Sequence, residues 1–344
     1  MLDVTIDHQL IRIGERFAVG FHRTLRIPDD GRIYPLPPGL GHFPVFNVSA
    51  YRDKVPPQWL EEVGAFIPMY QREALWIGFH GAEWKPNAVK IAVGGINVIS
   101  GEPFKHGLDA DPQDYIVCPD QPWLDGINTG RGFIRQFVAM PLGMGYTIEA
   151  SLTGKEEFGG IQVTVFEPKP GRFPDKPPKR SETGPVRFAV PKTKGAPESM
   201  GLGAGGKMKQ KIYPDPYGID VWDQDNSGHV GIHIVNSAQF FELTGIHPPP
   251  TPVDIQSYTE HGLPWFDLYD EAKADIPASD KLTGAETITE IERQRGESIA
   301  DDKALDILES QIKTIGKDAS ESPGRQPSHV ARPGSPHEGK GNKL

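Results

Sequence analysis

A single cysteine in 344 residues, Cys118, excludes an intrachain disulfide and any cysteine-rich zinc site. Flanked by Val117 and Pro119, it reads as buried apolar filler and not as a thiolate. Long apolar runs are missing too. No window reaches the ~20 uncharged apolar residues of a membrane span, and the best candidate, residues 133–148, is broken by Arg135, Gln136 and Pro141. The first residues carry Asp3, Asp7 and Arg12 where a signal peptide needs a basic start and an unbroken apolar core. A soluble, cytoplasmic chain is the expectation. The sequence contains no G-x-S-x-G and no H-E-x-x-H. Its net charge of −10 argues against bulk affinity for nucleic acid. No cofactor is expected.

What the chain has in excess is punctuation. Its 39 glycines and 34 prolines favour many turns and short strands over a helical bundle. Residues 10–13 and 17–21 flank a turn at Gly14, and 88–93 and 96–99 flank Gly94-Gly95, a glycine pair between β-branched runs that signals a hairpin. Residues 114–118, 133–140, 146–152 and 161–166 read as further strands. In the second of these, Phe133, Arg135 and Phe137 share a face, so Arg135 needs a partner if buried, and Glu149 on the next strand is the candidate. Short helices are expected after Pro57, over 240–245 up to Gly245, and after Pro252. The expected fold is mainly β, an α+β chain of antiparallel hairpins, sandwich-like, with few short helices, its body spanning residues 1–275.

Two segments depart from that body. Residues 168–211 hold eleven Lys or Arg against three acids, a local balance of +8 that leaves −18 for the rest. Eight prolines between 168 and 197 make this a basic loop inserted in the body. After Asp280, Leu305, Leu308, Ile312 and Ile315 are spaced 3, 4 and 3. That stripe predicts a charged helical extension over 280–316, docking on the body or on a second copy of the chain. Residues 317–344 are Gly, Ser, Pro and charge, a composition for disorder.

Site-like residues crowd into Met200–Ser237. Gly201 to Lys207 matches the first seven positions of the phosphate loop, but Met208 stands where magnesium needs a hydroxyl. Gly203, Gly206, Lys207, Lys209 and Lys211 remain candidates for holding an anion through amides and charge. Asp223, Asp225 and Ser227-Gly228 imitate the start of a calcium loop, but Ile234 occupies the position of the bidentate acid. Asp-Asn-Ser-Gly therefore reads as a hairpin turn, with Asp223, Asp225 and His229 as candidate ligands outside that motif. His229 and His233 alternate with β-branched residues, so they share a strand face about 13 Å apart, too far for one ion.

Two functional readings follow. In the first, the chain is a non-enzymatic binding or assembly protein that engages an acidic protein surface or a small anion through 168–211, with self-association through the tail helix. In the second, it is a hydrolase-like enzyme, metal-assisted or not, with His233, Asp223, Arg135 and Glu149 as catalytic candidates beside His229.

Overall fold

The computed structural model describes residues 1–176, 199–268, 273–297 and 303–315. Strand accounts for 39% of the chain and helix for 16%, so the β-rich class read from the turns holds. The eight described strands of six residues or more are β1 (Phe17–Thr24), β2 (Gly64–Met69), β3 (Ala74–His80), β4 (Asn87–Val93), β5 (Phe133–Pro141), β6 (Ile161–Pro168), β7 (Ser199–Lys209) and β8 (Trp222–Asn236). Antiparallel pairing runs β1–β3–β5–β7–β8–β6–β4. On its other edge β8 pairs in parallel with β2.

Beyond β1 lie Leu10–Ile13 and then Val4–Ile6. The amide of Leu2 donates to the Ser227 carbonyl at 2.9 Å, which brings this N-terminal hairpin back to β8. Gly228 permits the approach, since a Cβ there would lie 2.5 Å from Ile13 and 3.0 Å from Leu2. Val19, Ile77, Phe137, Leu202, Ile232, Val163 and Ile91, one from each strand of the run, lie in a single apolar cluster. Alternation places them there, because each strand sends every second residue inward. Cys118 belongs to the same core, and burial pushes its thiol up to about 12.

Local chemistry explains where the chain departs from its sequence pattern. Residues 146–152 alternate like a strand, yet α1 (Ile148–Thr153) forms there, because Thr147 caps it by accepting from Ala150 N and Gly154 closes it at positive φ. The expected hairpin turn at 223–228 is absent, since β8 runs straight through it. Pairing passes from Phe166–Ser227 to Pro168–Trp222, so residues 223–226 form a bulge, where turn-type residues are at home. The expected glycine loop at 201–206 is the middle of β7.

The stripe at 305–315 is not a helix. Glu309–Gln311 is a 3₁₀ turn, and Ile312–Ile315 pairs in parallel with Trp265–Leu268. Helicity in this region falls on α4 (Asp280–Thr283) and α5 (Ile288–Gln294) instead. Ile288 and Ile291 of α5 pack on Ala74, Val138 and Met140. The packed body thus continues past residue 275, and the described residues 280–297 and 303–315 contribute Leu282, Ala285, Ile288, Ile291 and Leu305 to its apolar clusters. Two further helices, α2 (Ser237–Thr244) and α3 (Ile255–Glu260), appear where Gly245 and the stretch after Pro252 indicated them. The expected tail at 317–344 and the middle of the basic segment, 177–198, fall outside the described residues. No helix among the described residues is long and apolar enough to cross a membrane.

Candidate functional site

The outer face of β6 and β8 forms the floor of a cleft of about 930 Å³. His229, Gly231 and His233 alternate along β8 and so share this face, with Gln162 of β6 opposite Gly231 and Thr164 opposite His229. Trp59 and Glu62 make one wall, from the short helical turn that begins at Pro57 and its exit into β2. Phe104 and Phe158 line the cleft beside the Gly94-Gly95 turn. Val63 O accepts from Gly231 N at 3.1 Å, which fixes the wall against the floor.

Glu62 occupies the centre. Its Oε1 lies 2.5 Å from where a Cβ on Gly231 would be, so the glycine leaves room for the carboxylate between the two imidazoles. Its Oε2 is 3.2 Å from His229 Nε2. That hydrogen bond holds the Glu62 carboxyl below its ordinary range against the opposing effect of partial burial. His229 Nδ1 meets the Thr164 hydroxyl at 2.7 Å, and Thr164 is fully buried. The ring is therefore fixed from behind, with Nε2 toward the cleft. The arrangement suits an imidazole that exchanges a proton with a bound group as well as one that orients a carboxylate.

His233 lies flat on Trp59, centroids 4.1 Å apart and planes within 4°. Burial pushes it down to about 4, Glu62 acting in the other direction, and its Nε2 is buried without a hydrogen-bond partner. It is neutral near pH 7, with one ring nitrogen buried and unpaired. Among the described residues the lining holds three glutamates, 61, 62 and 157, and no lysine or arginine.

Of the residues singled out in the sequence, only His229 and His233 come together here. Asp223 borders a different hollow, of about 460 Å³, with Asp175 and Glu167. Asp225 is exposed on the bulge and donates its amide to Asp223 at 3.2 Å. Arg135 pairs with Asp29 at 3.2 Å and not with Glu149. Glu149 sits in α1, 2% exposed, and accepts the amides of Glu157, Phe158 and Gly159 at 2.7, 2.9 and 3.0 Å.

Lys207 lies over the Phe133 ring at 4.5 Å, Lys209 is exposed, and Lys211 donates to the Lys273 carbonyl at 3.1 Å. Gly203 and Gly206 turn out to be packing glycines. A Cβ on them would lie 2.6 Å from Tyr146 O and 2.3 Å from Pro28 O. Neither has the positive φ of an amide nest. Among the described residues no group of three or more His, Cys, Asp or Glu is placed to hold a metal ion, so Asp223, Asp225 and His229 do not form a centre together.

Sequence reasoning missed Glu62, Trp59, Thr164, Phe104 and Phe158. One signal was within reach, the His-x-Gly-x-His pattern of 229–233, whose glycine falls on the histidine face. Comparison of the chain with protein-family models, with curated proteins and with solved structures finds no match.

Proposed function

We propose that the chain is a binding protein whose cleft takes a ligand bearing a positive charge. The observation that carries this is Glu62, an ionised carboxylate set over Gly231 in a lining with two other glutamates and no basic residue. Such a site attracts cations and disfavours anions, and aromatic rims strengthen the preference. Calorimetric titration with agmatine, with citrate as the anionic control, tests it. Agmatine binds, citrate does not, and Glu62→Gln weakens agmatine at least ~10-fold, as expected for loss of a charge-assisted contact. Silence with agmatine, or equal binding by E62Q, overturns the proposal.

A second reading keeps the acidic partner of the basic segment and gives it a strand face in place of a loop. Pairing sets Phe133 opposite Lys209 and Arg135 opposite Lys207, so these four side chains share one face of β5 and β7. Positive charge beside an aromatic ring suits an acidic polypeptide. The enzymatic reading draws on the same cleft as the first, through His229 with Thr164 behind it and Glu62 in front. Turnover of a bound amine would separate it from binding alone.

A further inference from the structure

The cleft has a second half that the charge of Glu62 does not explain. Phe158 is 67% exposed, yet it is not left loose. Its amide and those of its two neighbours converge on the buried carboxylate of Glu149. Gln162 closes the same loop from the floor, its Nε2 donating to Gly159 O at 2.9 Å and its Oε1 accepting from Gly95 N at 3.0 Å. The ring lies against Gly95, 3.0 Å from where a Cβ would be, and Phe104 is tied to that same turn by its amide, which donates to Gly95 O at 2.7 Å. Gly94 is equally committed, because a Cβ there would meet Glu149 at 2.6 Å. The three amide bonds that satisfy this buried carboxylate all come from the loop that carries Phe158. They hold an exposed aromatic ring in a fixed place, which lowers the entropy cost of using it.

We infer that the ligand has two parts, a cationic nitrogen for Glu62 and a flat apolar group for Phe158 and Phe104, and that Glu149 is the positioning residue for the second part. The ligand class is then an arylalkylamine. This rests on the cation-binding reading of the cleft.

The experiment compares 2-phenylethylamine with propylamine by calorimetry on the full chain. The ring raises affinity ~10-fold in the unmodified protein, in line with the worth of an aromatic contact plus its buried area. Phe158→Ala removes most of that ratio, and so does Glu149→Gln, which leaves one acceptor oxygen for three amides. The double variant shows no smaller ratio than F158A alone, because Glu149 acts only through the ring. A merely structural Glu149 would give additive losses, and that result overturns its role. Where E149Q does not fold, F158A decides, since its side chain is mostly exposed, and an unchanged ratio in F158A overturns the two-part ligand. If both amines bind with no preference for the ring, this inference falls while the cation site stands. If neither binds, both fall.

Discussion

β7 and β8 are neighbours in the sheet and both carry glycines, yet the space those glycines leave is filled differently. At Gly203 and Gly206 of β7 the missing Cβ is replaced by backbone, the carbonyls of Tyr146 and Pro28. At Gly231 of β8 it is replaced by the end of a flexible side chain, the carboxylate of Glu62. Polar groups follow the same division. Just past β7, Gln210 donates to the buried Asp125 at 2.9 Å, and Asp125 also accepts from Trp123 Nε1 at 2.7 Å. On β8, His233 keeps a buried nitrogen with no partner. β7 is sealed at Gly203 and Gly206, whereas β8 at Gly231 faces the cleft, so glycines of similar setting serve packing in one place and leave room for a carboxylate in the other.

The sharpest way to break this contrast is to add a methyl group to each strand. Gly206→Ala drives a Cβ into backbone that cannot swing aside, and we expect a loss of about 3 kcal/mol in urea denaturation. Gly231→Ala displaces only Glu62, so its loss stays under about 1 kcal/mol, while agmatine binding falls at least ~10-fold. Equal destabilisation by the two substitutions would erase the distinction.

Proton linkage offers the next largest effect, with opposite signs on the two sides. Burial pushes the Asp125 carboxyl up to about 7 against the pull of Trp123 and Gln210. The unfolded chain therefore holds fewer protons at this site between about pH 4 and 7, and stability falls as pH rises through that window. Asp125→Asn keeps an acceptor oxygen and should flatten the melting temperature over that range. His233, pushed down to about 4 by burial, works the other way. Its contribution is complete above the ordinary imidazole range and is lost as pH falls toward 4. His233→Phe keeps a ring on Trp59 and should shallow this acid limb without abolishing it. His22, pushed down to about 3 by burial and stacked on Trp76 at 3.7 Å, titrates in the same direction. An acid limb unchanged in H233F would count against the buried, neutral imidazole.

Much of this division is legible in the order of the amino acids alone. Gly94-Gly95 between β-branched runs is a hairpin, and His229 and His233 share a strand face as alternation requires. What local sequence does not reveal is what lies across a strand. Whether Gly206 is loop or sheet depends on Pro28, and whether Gly231 is filler or site depends on Glu62, each far away in the chain. Propensity failed where a cap outweighed it, as Thr147 turned an alternating stretch into α1. Helical spacing misled in turn where β propensity won, as β-branched Ile312, Thr314 and Ile315 paired with Trp265–Leu268. Arg135 shows the same limit, since its partner, Asp29, comes from a turn no local pattern links to it.

The smallest effect tests whether the sealed strand has a function on its outer face. Replacing Lys207, Lys209 and Lys211 together by Glu alters groups at the surface of β7 and its exit, at the cost of the Lys207 ring contact and the Lys211 bond to the Lys273 carbonyl. Surface changes of this kind shift stability by roughly 0.5 kcal/mol each, and agmatine binding in the cleft should not move. Retention of the chain on immobilised polyglutamate is the sensitive readout, because three charges are reversed beside Arg135. Under the acidic-partner reading the unmodified chain is retained at low salt and released as ionic strength rises, and the triple variant is not retained. Retention by both proteins would remove that reading and leave β7 as scaffold alone. A fall in agmatine affinity would show instead that the two strands are coupled, and the separation between sealed and open sides would have to be redrawn.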